Sequence, residues 1–123
     1  VLETEDLAAR DFLQSHCVGY LKVKDYVLGL SDGVAKSPNW AASICGIDAT
    51  EIEALARKMA RKRTFLTAAW SLQRGDHGEQ PYWMLCTLAA MLGQIGTPGG
   101  GGRKGSAMTV QESWPDSTQI TRP

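Results

Sequence analysis

The sequence has no apolar run long enough to cross a membrane. Its longest, residues 82–92, is broken by Thr87 and falls well short of the roughly 18 to 20 residues that a span requires. There is no excess of charge either. Thirteen Lys and Arg balance thirteen Asp and Glu, which excludes the basic footprint of a nucleic-acid binder. The one basic cluster, Arg57, Lys58, Arg61, Lys62 and Arg63, is preceded by Glu51 and Glu53 and reads as a solvated helix face. Cysteine is scarce and unpatterned. Cys17, Cys45 and Cys86 are odd in number and far apart, with no CxxC pair, so no disulfide framework, zinc site or iron–sulfur site is signalled. They read as small core residues, and the isolated His16 and His77 as structural or surface groups. Residues 1–13 show neither the basic start nor the apolar stretch of a secretion signal.

What is present fits one globular domain. A chain of 123 residues with 43% apolar content can bury about two thirds of its unfolded surface. Thr4, followed by Leu7, Ala8, Phe12 and Leu13, predicts a helix to about His16. Residues 22–30 predict a second short helix or extended turn, closed by Ser31, Asp32 and Gly33. Ser37 as N-cap, Pro38 in the first turn and Gly46 as terminator bound a third. Asp48 and Glu51 form a capping-box-like pair for a fourth, with Ile52, Leu55, Ala56 and Met59 as its apolar stripe to about Arg63.

The pattern then changes. Residues 64–70, TFLTAAW, are too few for a helix and predict one buried strand. Residues 80–95 predict a long helix with Met84, Leu88, Met91, Leu92 and Ile95 facing a core, ended by Gly96 and Pro98. The order helix, strand, turn, helix indicates an α/β unit. Residues 103–123 lack apolar periodicity and read as an unstructured tail.

Ligands of α/β sheets bind beyond the carboxyl ends of strands, which directs attention to residues 70–79. Trp70 offers a flat face and an N–H, Ser71 and Gln73 offer hydrogen bonds, and Arg74 offers a fork for phosphate or carboxylate. The amides opening the next helix add partial positive charge. The bland alternative packs Trp70 in the core and pairs Arg74 with Asp76 or Glu79. Asp76, His77 and Glu79 lack a nucleophile and read as a charged loop. The run GTPGGGGRKGS fails the GxxxxGK[ST] spacing, since Gly105 follows Lys104. Trp83 and Met91 read as core.

Five segments together carry a family resemblance: CVGY, SDGVAKSPNWAASICGI, EIEALARKMARKRT, WSLQRGDHGEQPYWM and LAAMLGQIGTPGGG. In this order they resemble the molybdopterin-dependent reductases of dimethyl sulfoxide, trimethylamine N-oxide and biotin sulfoxide, over residues 2–102. SDGVAKSP and the Trp-Ser-Leu-Gln-Arg run lean towards the biotin sulfoxide branch. The resemblance implies part of a Rossmann-like cofactor-binding domain over residues 1–102, with 103–123 unmatched. It also implies a bis(molybdopterin guanine dinucleotide) molybdenum cofactor, oxygen-atom transfer from a small S-oxide or N-oxide, and a bacterial periplasmic or cytoplasmic enzyme. The family's Trp-Ser-x-x-Arg element contacts the cofactor, which maps to Trp70, Ser71 and Arg74. The serine that ligands molybdenum lies in a region without counterpart here. No residue is therefore assigned to the metal or to catalysis, and the chain alone is expected to be inactive. The competing reading is a non-catalytic helical scaffold or interaction module, a decayed relic with a closed apolar core.

Overall fold

Ser37 caps the third helix as its spacing predicts, accepting a hydrogen bond from the Trp40 amide. Pro38 fills the first turn and Gly46 ends it in the left-handed conformation. The computed structural model describes residues 1–104 and 111–112. Five helices, α1 (Arg10–His16), α2 (Tyr20–Val27), α3 (Pro38–Cys45), α4 (Ala49–Arg61) and α5 (Glu79–Met91), accompany one buried strand, β1 (Thr64–Ala68). Two short strands flank it. β2 (Gly101–Lys104) pairs parallel to β1, and β3 (Gln111–Glu112) pairs antiparallel on its other side. Of the segment read as an unstructured tail, Arg103 and Lys104 fall in β2 and Gln111–Glu112 forms β3; the remainder lies outside the described residues.

α4 begins at Asp48, whose carboxylate accepts from the Thr50 amide at 2.7 Å. Of its expected stripe, Met59 is buried, but Leu55 is 44% exposed. The basic cluster keeps to the outside as expected. Arg57 holds Glu5 through both Nε and Nη2 and reaches Glu53 at 3.0 Å, so the N-terminal turn is tied to α4. β1 alternates buried and half-buried positions. Its first residue, Thr64, is buried because its polar groups are satisfied: the hydroxyl donates to the Met59 and Lys62 carbonyls, and the amide donates to the Gln94 side chain.

α5 separates two small cores. Ala90 belongs to one with Ala8 and Leu13, while Ala89 belongs to the other with Met59 and Leu66. The predicted stripe is corrected here. Met84 is 47% and Ile95 is 44% exposed, because α5 is apolar on nearly every side and periodicity cannot choose among its faces. Closeness of approach decides instead, and the alanines are buried. The helix also ends earlier than Gly96 and Pro98 suggest. Gly93, at φ +65°, stops it where a Cβ would lie 2.4 Å from that of Ala9.

α1 starts later than Thr4 predicts. Residues 1–8 turn back on themselves, with the Leu7 and Ala8 amides both reaching the Leu2 carbonyl and Asp6 at φ +54°. The Ala9 amide then donates to Met91 at 2.7 Å, which fixes α1 against α5. The cysteines are not core residues: Cys17 is half-buried, and Cys45 and Cys86 are exposed. Trp83, also read as core, is 61% exposed, since it shares the outer side of α5. His16 stacks on Phe12 with ring centroids 4.8 Å apart, a structural role.

Glu3 anchors the N-terminal turn. Its side chain is 3% exposed, accepts from the Tyr20 hydroxyl, and lies 3.3 Å from both Arg10 and Lys24. Burial pushes this carboxyl up, but Tyr20, Lys24 and Arg10 together hold it below its ordinary value. A carboxyl lowered in the folded state stabilises fully above its unfolded pKa of about 4.3, and that contribution disappears as pH falls through the folded value. The urea midpoint is therefore expected to fall as pH drops below about 4.3, and Glu3→Gln to flatten part of that fall; an unchanged acid slope in the variant would remove Glu3 from the account. A second expectation concerns Gly93. Gly93→Ala forces an unfavourable φ and a clash, with a loss of about 1–3 kcal/mol in denaturant unfolding, and Ala9→Gly in the same chain restores part of it.

Candidate functional site

β1 delivers the chain to a tight turn. Ala69 is still extended, and Trp70–Arg74 then forms a 3-10 turn whose Leu72 amide bonds Ala69 at 3.2 Å. The Gly78 amide bonds Gly75 and the Gln80 amide bonds His77, carrying the chain into α5. Gly78 is buried beneath the turn. A Cβ there would lie 2.4 Å from the Leu72 carbonyl oxygen and 2.7 Å from Gln73 backbone, so only glycine allows this approach. From α5, the Tyr82 hydroxyl donates to the Ala69 carbonyl. Strand end and helix are thereby locked together with the turn between them.

Trp70, Ser71 and Arg74 all lie on this turn and all are exposed, Trp70 at 58%. The alternative that buries Trp70 and pairs Arg74 does not hold: among the described residues, Arg74 makes no side-chain hydrogen bond or ion pair. Its expected partners face His77 instead, with Asp76 and Glu79 each 3.9 Å from the imidazole. These three groups are exposed and form a charged loop. Gln73 is exposed as well.

Four clefts are found among the described residues. Clefts of about 510, 430, 370 and 330 Å³ open around α1, α2 and α5, and of the turn only Leu72 lines one of them. Trp70, Ser71 and Arg74 thus present donors and an aromatic face on an open surface. Their chemistry suits one edge of a large, oxygen-rich ligand: a guanidinium fork, a hydroxyl and an indole N–H, at the carboxyl end of a buried strand. Among the described residues no group of three or more His, Cys, Asp or Glu side chains could hold a metal ion.

No family model matches the chain. Relatives are nevertheless plain. It is 54% identical over 92 residues to the trimethylamine-N-oxide reductase of Haemophilus influenzae, an alignment covering 75% of this chain and 11% of that protein. It is 52% identical over 100 residues to the dimethyl sulfoxide/trimethylamine N-oxide reductase of Cereibacter sphaeroides, covering 81% and 12%. The trimethylamine-N-oxide reductase of Vibrio cholerae is 51% identical over 102 residues. The chain belongs to the molybdopterin-dependent S-oxide and N-oxide reductases. It spans about 12% of the length of these relatives, and that family contains molybdenum enzymes.

Trp70, Ser71 and Arg74, the three residues expected to contact a cofactor, sit together on the 3-10 turn. Sequence reasoning missed the two residues that hold the turn in place. Gly78 stands inside the HGEQ run, where a lone glycine followed by a helix start was the available signal; Tyr82 carried none, since nothing local marks a hydroxyl aimed back across thirteen residues. Tyr82→Phe is expected to loosen residues 70–75 with a loss of about 1 kcal/mol. Faster amide exchange confined to the turn would bear this out, and an exchange pattern identical to wild type would show that the hydroxyl does not hold it.

Proposed function

We propose that this chain is one wall of the cofactor site of a reductase acting on S-oxides or N-oxides, with Trp70, Ser71 and Arg74 touching a bis(molybdopterin guanine dinucleotide) molybdenum cofactor. The observation that carries the reading is identity of about half the aligned positions to trimethylamine-N-oxide and dimethyl sulfoxide reductases. When bound, such a cofactor supplies oxygen-atom transfer. This chain's residues hold it: Arg74 clamps a phosphate or pterin oxygen through two donors, Ser71 adds a hydroxyl, and Trp70 lends its ring and N–H. None of them ligands the metal. Residues 1–102 are read as part of a Rossmann-like domain in which β1, the turn, α5 and β2 make one β–α–β unit, and residues 103–123 as an unmatched extension. Biotin sulfoxide belongs with the other two oxides as a candidate substrate.

The surface argues for a piece of something larger over a self-contained module. Among the described residues eight apolar side chains are buried while fourteen large ones are exposed, including Leu30, Ile44, Ile47 and Trp83. A closed module covers such groups, and surfaces of this kind mark contacts with further protein. The chain by itself is accordingly inactive.

The test uses a full-length reductase carrying this segment. Arg74→Ala is expected to lower molybdenum occupancy and trimethylamine N-oxide reduction by about 10- to 150-fold, the equivalent of one lost charge-assisted bond. Full occupancy and activity in the variant would take Arg74 out of the site. Stoichiometric molybdenum and pterin on the isolated chain would overturn its incompleteness.

A further inference from the structure

Independently of that reading, two clefts meet at Cys17. The first, about 510 Å³, is lined by Arg10, Gln14, Lys22 and Lys24. The second, about 330 Å³, is lined by Val18, Val23, Cys86 and Ile95. Leu13, Cys17, Gly19 and Tyr20 border both. The two cysteines face one space because α1 and α5 pack side by side in opposite directions. Ala9 meets Met91 and Gly93 at one level, and Leu13 packs with Ala90 at the next. Four residues on in one element and four back in the other stand Cys17 and Cys86. Cys17 continues the last turn of α1, its amide bonded to Leu13 at 3.3 Å, and it packs against the Leu13 and Ala90 core. Both thiols are free. Small residues at 9, 90 and 93 let the two backbones approach closely, and both cysteines line the second cleft.

We propose that Cys17 and Cys86 form a dithiol site for a small anionic disulfide. Charge selects the reagent. Arg10 pairs with Glu3 and Asp6 and Lys24 with Glu3, while Lys22 has no carboxylate of its own among the described residues, which leaves an excess of positive charge beside Cys17. The Cys17 thiolate attacks one sulfur of the reagent, forming a mixed disulfide and releasing one thiol. The Cys86 thiolate then attacks the Cys17 sulfur and releases the second. The two protons shed by the cysteines pass to the two released thiolates, so the reagent is reduced by two electrons and the protein is oxidised by two. The product joins the end of α1 to the middle of α5. Cys45, on α3, has no part in it.

Oxidised glutathione is the probe, with alkylation, intact mass and peptide mapping as readouts on the 123-residue chain. The wild type is expected to become a monomer lighter by two hydrogens, with Cys45 as its one remaining thiol. Cys86→Ser should stop at a glutathione adduct on Cys17. Lys22→Glu should slow reaction with oxidised glutathione several-fold and leave reaction with neutral hydroxyethyl disulfide unchanged. In urea the preference for the 17–86 pairing should vanish. Equal adducts on all three cysteines of the folded wild type, or an internal bond that includes Cys45, would overturn the proposal without the use of any variant. Equal slowing with both reagents would overturn the role of charge.

Discussion

Everything in this structure depends on how narrow α5 is between residues 89 and 93. One side of it takes β1 and α4 through Ala89, and the other takes α1 through Ala90 and Gly93. At Ala89, Ala90 and Gly93 the side chain is a methyl group or absent, and close packing leaves no slack there for a larger one. Leu85, Leu88, Met91 and Leu92 pack around these contacts, whereas Trp83 and Met84, nearer the start of the helix, are exposed. A thin waist and a wide, uncovered end thus belong to one helix.

The turn that carries Trp70, Ser71 and Arg74 inherits its position from that waist. β1 is set by the Ala89 contact and by Gln94, whose side chain accepts from the Thr64 amide and donates to the Lys62 carbonyl. Tyr82 then reaches from the opposite end of α5 to the last extended residue after the strand. The strand is held at one end by Tyr82 of α5 and at the other by Gln94, just beyond that helix. Trp70, Ser71 and Arg74 consequently emerge from a turn that directly follows this anchored strand.

Much of this was legible in residue order, and the misses have a common cause. α3 could be read at both ends because Ser37, Pro38 and Gly46 act on their immediate neighbours. The same locality made the strand at Thr64 and the exposed turn at Trp70 readable. What failed was the choice of face. Met84 and Ile95 look like core in an apolar helix, yet tertiary contacts left both exposed. The start of α1 failed similarly, since Leu2 and Met91, each remote from the Thr4 signal, decide where the helix begins. Family likeness supplied what locality could not, by marking Trp70, Ser71 and Arg74 among many plausible polar residues.

The bond from Ala9 to Met91 has a consequence for the order of assembly. Its partners lie at nearly opposite ends of the described chain, and contacts of such separation carry the largest loop-closure cost and form late. On a ribosome α1 emerges before α5 and waits for it to supply Ala90 against Leu13. Until then Leu13 and Phe12 lack the partner that Ala90 supplies.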